Sequence, residues 1–190
     1  MSNSKLIIIE GAQGAGKTSA SDFIRYYLPH TNLYRLNGTS DNTITGLEKS
    51  KKMYFSLMDY IKSLENLSIN LLFDRTFFTE ENYCRLGFKE YSFTDVYKDL
   101  VKKLDSLDFD IYYITLYLED TALFEKRLDR KDKGGPKYAK YKAESSINQQ
   151  KVYLKMSDEL KQISKNIHIF KVSNDGSQEQ LETSLKEIIG

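Results

Sequence analysis

Tryptophan is absent, proline occurs twice, and the 190 residues include one cysteine, Cys84, and two histidines, His30 and His168. A single cysteine excludes an intrachain disulfide and fits a reducing compartment, so the cytoplasm is the expected location. One thiol and two scattered imidazoles lack the spacing of a zinc site. No apolar run approaches the roughly 20 residues of a membrane-spanning helix, so no membrane partner is expected. The first apolar strand begins by Lys5, which leaves no room for a signal peptide. The net charge is +1. A chain so nearly neutral has no field to draw a nucleic-acid backbone, and nucleic acid is not an expected partner. The guanine-reading Asn-Lys-x-Asp is missing, which argues against a GTPase switch.

Hydrophobic residues make up 40% and charged residues 29% of the chain, as suits a single globular domain over residues 1–190. The cations are uneven in kind: 22 lysines against 6 arginines, Arg25, Arg35, Arg75, Arg85, Arg127 and Arg130. Arginine offers a planar fork that grips phosphate bidentately, so in a lysine-rich chain its positions point to anion contacts.

Gly11-Ala12-Gln13-Gly14-Ala15-Gly16-Lys17-Thr18 fits the phosphate-binding loop G-x-x-x-x-G-K-[ST]. The apolar run Lys5-Leu6-Ile7-Ile8-Ile9 precedes it as a buried strand, and residues 18–28 follow as a helix ending before Pro29. Glycines let backbone N–H groups turn toward an anion, and the helix start adds unpaired donors and positive dipole. Lys17 is placed to reach the β- and γ-phosphates of ATP, and Thr18 to ligate Mg²⁺. Glu10 is placed to support the loop.

Strand-like runs at 6–9, 32–36, 69–73, 111–118 and 167–172 alternate with helical stretches at 18–28, 47–64, 93–107, 121–130, 145–163 and 178–189. This alternation predicts an α/β fold of three layers, a parallel sheet with helices on both faces. In such sheets the site lies beyond the carboxyl ends of the strands. The third strand runs into Asp74-Arg75. An acid there can hold Mg²⁺ directly or through water, and the adjacent arginine can grip a second phosphate. Residues 131–137, with two glycines, a proline and three lysines, read as a surface loop. Together with Arg127 and Arg130 just upstream they predict a short lid over about 127–140 that closes on phosphates. Tyr54 or Phe55, on the helix over 47–64, could stack on an acceptor base, but at helical spacing they fit the core better. Cys84 is either a lining residue of that pocket or a small packing residue. His30 reads as exposed at a helix end and His168 as structural within the last strand.

Asp74-Arg75-Thr76-Phe77-Phe78-Thr79-Glu80-Glu81-Asn82-Tyr83 resembles the Asp-Arg-Tyr-x-x-Ser-x-x-Ala-Tyr segment of thymidylate kinases. Ile9-Glu10-Gly11 through Thr18 resembles the same family's opening. Arg35-Leu36-Asn37-Gly38-Thr39, Arg127-Leu128-Asp129-Arg130 and Val172-Ser173-Asn174-Asp175-Gly176-Ser177 resemble, more loosely, its later stretches. The resemblance implies a P-loop nucleoside-monophosphate kinase fold whose five parallel strands take the order 2-3-1-4-5. It implies ATP-dependent phosphorylation of a (deoxy)nucleoside monophosphate, in nucleotide biosynthesis. By the same resemblance, Lys17, Arg127 and Arg130 neutralise the moving phosphoryl group, while Asp74 orients Mg²⁺. Arg35, Arg75 and Tyr83 hold the acceptor, and the turn at Asn174 and Gly176 borders adenine. A homodimer packed through helices is implied too. The chain departs from the family at Gln13, where many members carry Asp, at the residues after Arg35, and at Cys84.

A monophosphate oxygen is already ionised at neutral pH and needs no general base, whereas a nucleoside hydroxyl does. Leu36-Asn37-Gly38 offers no carboxylate until Asp41, where related deoxynucleoside kinases place a Glu. This favours a monphosphate acceptor over the alternatives, a deoxynucleoside kinase or a P-loop kinase acting on nucleic acid or a modified base.

Overall fold

The computed structural model describes residues 4–129 and 142–190. Its strands are β1 (Lys5–Glu10), β2 (Thr31–Arg35), β3 (Asn70–Asp74), β4 (Asp110–Tyr117) and β5 (Ile167–Ser173). Its helices are α1 (Lys17–Tyr27), α2 (Gly46–Ser63), α3 (Phe77–Arg85), α4 (Thr94–Asp105), α5 (Leu123–Leu128), α6 (Ala143–Ile163) and α7 (Gln178–Ile189). The strands form one sheet in the order β2-β3-β1-β4-β5. All four pairings are parallel, as the alternation predicts.

β1 shows why the sheet has two covered faces. Successive side chains point to opposite sides of a strand. Leu6 and Ile8 join Leu71, Phe73, Ile111 and Tyr113 in a core beneath α2, α3, α4 and α6. Ile7 and Ile9 join Leu72, Ile114, Leu116 and Val172 beneath α1 and α7. The four aliphatic side chains of Leu6–Ile9 are at most 1% exposed. Burial of such a side chain contributes about 1.5–3 kcal/mol.

Boundaries differ from the sequence reading in three places. The helix expected over 121–130 forms only as α5, because Asp120 accepts from the Ala122 backbone N–H and its carbonyl from Leu123, which makes a turn. β3 extends to include Asp74, which pairs with Ile9 of β1 and Arg35 of β2. The stretch after Arg75 is a separate helix, α3, with Phe77 and Phe78 both fully buried. Adjacent buried rings mask helical periodicity, since this helix is enclosed on more than one side.

The parallel register pairs Arg35 with Asp74 and Glu10 with Thr115 at the carboxyl edge of the sheet, the second pair one residue beyond Ile9, the partner of Asp74. This edge is the place where open α/β sheets hold ligands.

Candidate active site

The loop after β1 has the conformation that its glycines permit. Gly14 and Gly16 lie at φ 90° and 100°, a region that L side chains rarely adopt. A Cβ at Gly16 would also strike the Asn174 side chain. α1 starts directly after this glycine and carries no side-chain cap, so its first N–H groups remain directed at the loop. Lys17 is buried, and its ammonium donates to the carbonyls of Gly11 (2.8 Å) and Ala12 (3.0 Å). Thr18 is exposed in the first turn of α1.

Glu10, wholly buried, braces the loop from below. Its Oε1 accepts from the Thr76 backbone N–H (2.7 Å) and hydroxyl (3.1 Å), and its Oε2 from the Thr79 hydroxyl (2.7 Å). Thr79 in turn shares a hydrogen bond with the Tyr153 hydroxyl of α6 at 2.9 Å. Burial pushes the Glu10 carboxyl up to about 7, against the pull of these hydrogen bonds and of the Lys17 ammonium.

α6 holds the loop from the side. The Gln13 N–H donates to Gln149 Oε1 (3.2 Å), and the Gln13 carbonyl accepts from the Ser146 hydroxyl (2.8 Å). The side chain of Gln13 accepts from the Arg75 guanidinium at 2.8 Å. Arg75 N–H donates to the Ile9 carbonyl, and Arg75 sits at φ 72°, a strained setting for a residue with a Cβ. Here it aims the arginine back across β1 at the phosphate loop.

Asp74 is 6% exposed, and its carboxylate lies 3.5 Å from Arg35 Nε. Arg35 also donates to Asp22 (2.5 Å) and Ser21 (3.3 Å) of α1. The oxygen donors of Thr18 and Asp74 suit a hard cation such as Mg²⁺, which prefers few protein ligands and keeps its waters. Among the described residues no group of three or more acids, histidines and cysteines gathers as a metal site. Mg²⁺ held through one hydroxyl and one carboxylate is compatible with that.

Tyr83 lies within electrostatic reach of Arg75 and Tyr54, and its ring packs on Phe88 at 5.6 Å. Tyr54 is 1% exposed with its ring edge-on to Phe77 and Phe93, so it is a core residue. Phe55 is not brought to the site: its ring lies under the Lys103 ammonium of α4 at 5.3 Å. On a helix, neighbours in sequence point about 100° apart, so Tyr54 and Phe55 could not both face the acceptor.

Arg127 donates to the carbonyls of Gly14 (3.3 Å) and Asn174 (2.5 Å), so it bridges the loop and the turn after β5. Asn174 itself donates to the Ala15 carbonyl at 2.8 Å. Gly176 lies in the same turn, where a Cβ would collide with Gln180, the residue that completes the α7 capping box with Ser177. Arg130 and most of the expected lid lie outside the described residues. Cys84 is half-buried, and burial together with Glu80 and Glu81 pushes its thiol up to about 12, which agrees with a packing role. His168 pairs with Asp110 at 3.0 Å on an exposed face of β5.

Sequence reasoning missed a buried polar cluster between α2, α3 and the segment before α4: Glu80, Lys89, Ser50 and Tyr91. The available signal was Glu80-Glu81 in a segment otherwise lined with aromatic residues.

Solved structures that superpose on this architecture include kinases. The thymidylate kinase of Candida albicans superposes with a TM-score of 0.69 at 18% identity, over 98% of this chain and 91% of that one. Deoxyadenosine kinase from M. mycoides, with the products dCMP and dCDP bound, superposes at 0.62 and 20% identity, over 97% and 98%. The YorR protein of Bacillus subtilis, in complex with phosphorylated GDP, gives 0.65 at 16% identity, over 97% and 95%. No protein-family model matches the chain, and no curated protein matches it by sequence. The fold is therefore that of the P-loop nucleoside-monophosphate-kinase-like proteins. No helix among the described residues is long and apolar enough to cross a membrane.

Proposed function

We propose that this protein transfers the γ-phosphoryl group of ATP to a (deoxy)nucleoside monophosphate. The observation that carries the reading is the contact of the Arg75 guanidinium with the phosphate loop, through Gln13 Oε1 at 2.8 Å. An ATPase needs the loop and an acid. It has no use for a second guanidinium held by backbone strain against the loop, whereas a phosphotransferase must fix an acceptor phosphate beside the donor.

In this reading the backbone of Gly11–Thr18 and the Lys17 ammonium cradle the donor phosphates. Arg75 and Arg35 grip the acceptor phosphate, and Arg35 exchanges its contact with Asp22 for that anion. The turn at Asn174 and Gly176 borders the adenine, and Arg127 and Arg130 are assigned to the moving phosphoryl group. Mg²⁺, held by Thr18 and Asp74, would supply charge neutralisation at the phosphate oxygens. No general base is needed, because the attacking oxygen is already anionic.

The test is incubation of the purified protein with ATP and Mg²⁺ and a panel of monophosphates and nucleosides in ribo and deoxy forms. Formation of a diphosphate is expected. Phosphorylation of nucleosides alone would place the protein with the deoxynucleoside kinases, and hydrolysis of ATP with no phosphorylated acceptor would refute the reading.

A further inference from the structure

We propose that Ser146 and Gln149, on α6, are positioning residues for the acceptor arginine: they hold both backbone groups of Gln13, which aims the Gln13 amide at Arg75. The inference rests on the monophosphate-kinase reading above, in which Arg75 grips the acceptor phosphate, and adds the residues that set that grip.

The buried face of α6 changes character along its length. Its first half presents Ser146, Gln149, Gln150 and Tyr153, at the i, i+3, i+4 and i+7 spacing of one helix face. All four are at most 6% exposed. Farther along, Met156 and Leu160 belong to the apolar core. Buried polar side chains cost stability unless they are paired, so a polar stripe in this place calls for partners. The partners are the phosphate loop, the end of β4 and α3.

Gln150 fixes the helix itself. Its amide accepts from the Leu118 N–H and donates to the Leu118 carbonyl, each at 2.8 Å, just beyond β4. Tyr153 shares a hydrogen bond with the Thr79 hydroxyl, and the Gln149 carbonyl accepts from the Asn82 side chain at 3.0 Å, so α3 is tied to the same turns. From this anchored stretch Gln149 Oε1 accepts from the Gln13 N–H (3.2 Å), and the Ser146 hydroxyl donates to the Gln13 carbonyl (2.8 Å). With the peptide groups on both sides of Gln13 held, its side chain leaves the loop in one direction, and its Oε1 meets the Arg75 guanidinium at 2.8 Å. A group that must grip a substrate is placed accurately only when the residues behind it are held by packing and hydrogen bonds.

The rest of the phosphate loop has other supports. The Asn174 side chain donates to the Ala15 carbonyl, Arg127 to the Gly14 carbonyl, and Lys17 to those of Gly11 and Ala12. None of these contacts runs through α6. Release of Gln13 by α6 therefore loosens Arg75 while the donor half of the loop stays in place. The role differs from a general contribution to folding in two ways: its effect falls on the acceptor, and it passes through one side chain, that of Gln13.

The test uses the full chain in steady-state kinetics with ATP and Mg²⁺. The acceptor is whichever of adenylate, guanylate, cytidylate, uridylate and thymidylate, in ribo or deoxy form, the parent phosphorylates. Ser146→Ala and Gln149→Leu should each raise the acceptor KM about three- to tenfold, the worth of one hydrogen bond, with the ATP KM within about twofold of the parent. Gln13→Ala should raise the acceptor KM at least as much. A double-mutant cycle then separates the proposed route from mere loosening of the fold. Gln13→Ala keeps the backbone that α6 holds. In that background Gln149→Leu should still lower the melting temperature but should raise the acceptor KM no further. Ser146→Ala, which loses a single hydroxyl, carries the same cycle if Gln149→Leu fails to fold. Equal factors in both backgrounds, an ATP KM that rises as much as the acceptor KM, or an unchanged acceptor KM in the α6 variants would overturn the inference while leaving the kinase reading intact. Phosphorylation of none of these monophosphates by the parent would remove the reading and the inference together.

Discussion

Replacement of Glu10 by Gln should remove a pH-dependent weakness from the fold. Burial raises the Glu10 carboxyl from 4.5 to about 7. Below about pH 4 the group is protonated in both folded and unfolded chains, and its ionisation does not bear on stability. As the pH rises, the unfolded chain releases its proton first, while the folded one keeps it. The native state then binds more protons, so stability falls with pH until both forms are ionised. Each pKa unit corresponds to about 1.4 kcal/mol, so the loss by neutral pH is on the order of 3 kcal/mol. That is a substantial part of the 5–15 kcal/mol typical of a domain. Glutamine keeps the shape: its Oε1 accepts from Thr76, and its N–H₂ donates to the Thr79 hydroxyl, which donates on to Tyr153. Urea unfolding of both proteins from about pH 4 to pH 8 is the assay, because other titrating groups cancel in the difference. Glu10→Gln should gain relative to the parent as pH rises, with the change concentrated between about pH 4.5 and 7. A difference constant across this range would refute the argument, and would mean that Lys17 and the hydrogen bonds at Glu10 offset its burial.

Further outcomes follow from the site. Lys17→Ala should cut turnover by orders of magnitude with little loss of fold, since its ammonium donates to loop carbonyls, those of Gly11 and Ala12, rather than packing in the apolar core. Near-parental kinase activity would refute its role. Arg75→Ala should cost a similar factor in kcat/KM for the acceptor while ATP affinity changes little, and a loss confined to ATP binding would place the arginine on the donor side instead. Gly16→Ala meets both a φ of 100° and the Asn174 side chain, so it should abolish ATP binding as measured by titration. The Cys84 thiol, held up near 12, should be alkylated at neutral pH much more slowly than a free cysteine. Rapid labelling would show that the α3 segment opens readily.

Much of the site was legible because its signals are local. Eight consecutive residues encode the phosphate loop, since backbone N–H groups, glycine conformations and a helix start are properties of neighbours in sequence. Asp74-Arg75 was legible as an acid at the end of an apolar strand, a position the parallel architecture makes functional. Tyr54 and Phe55 could not be told apart in the same way: residues adjacent on a helix diverge, and only packing against Phe77, Phe93 and Lys103 decides where each ring lies.

The amino-acid sequence by itself determined the class of fold, the phosphate loop and the acid–arginine pair, because hydrophobic alternation and backbone chemistry act over a few residues. Tertiary structure alone decided that Gln13 joins Arg75 to the loop across 62 positions. It alone decided that Glu80, Ser50, Lys89 and Tyr91 meet, with hydrogen bonds that span as many as 41 positions. Such contacts depend on strand register and on which helix covers which face of the sheet. Those are outcomes of global packing, and no local pattern carries them.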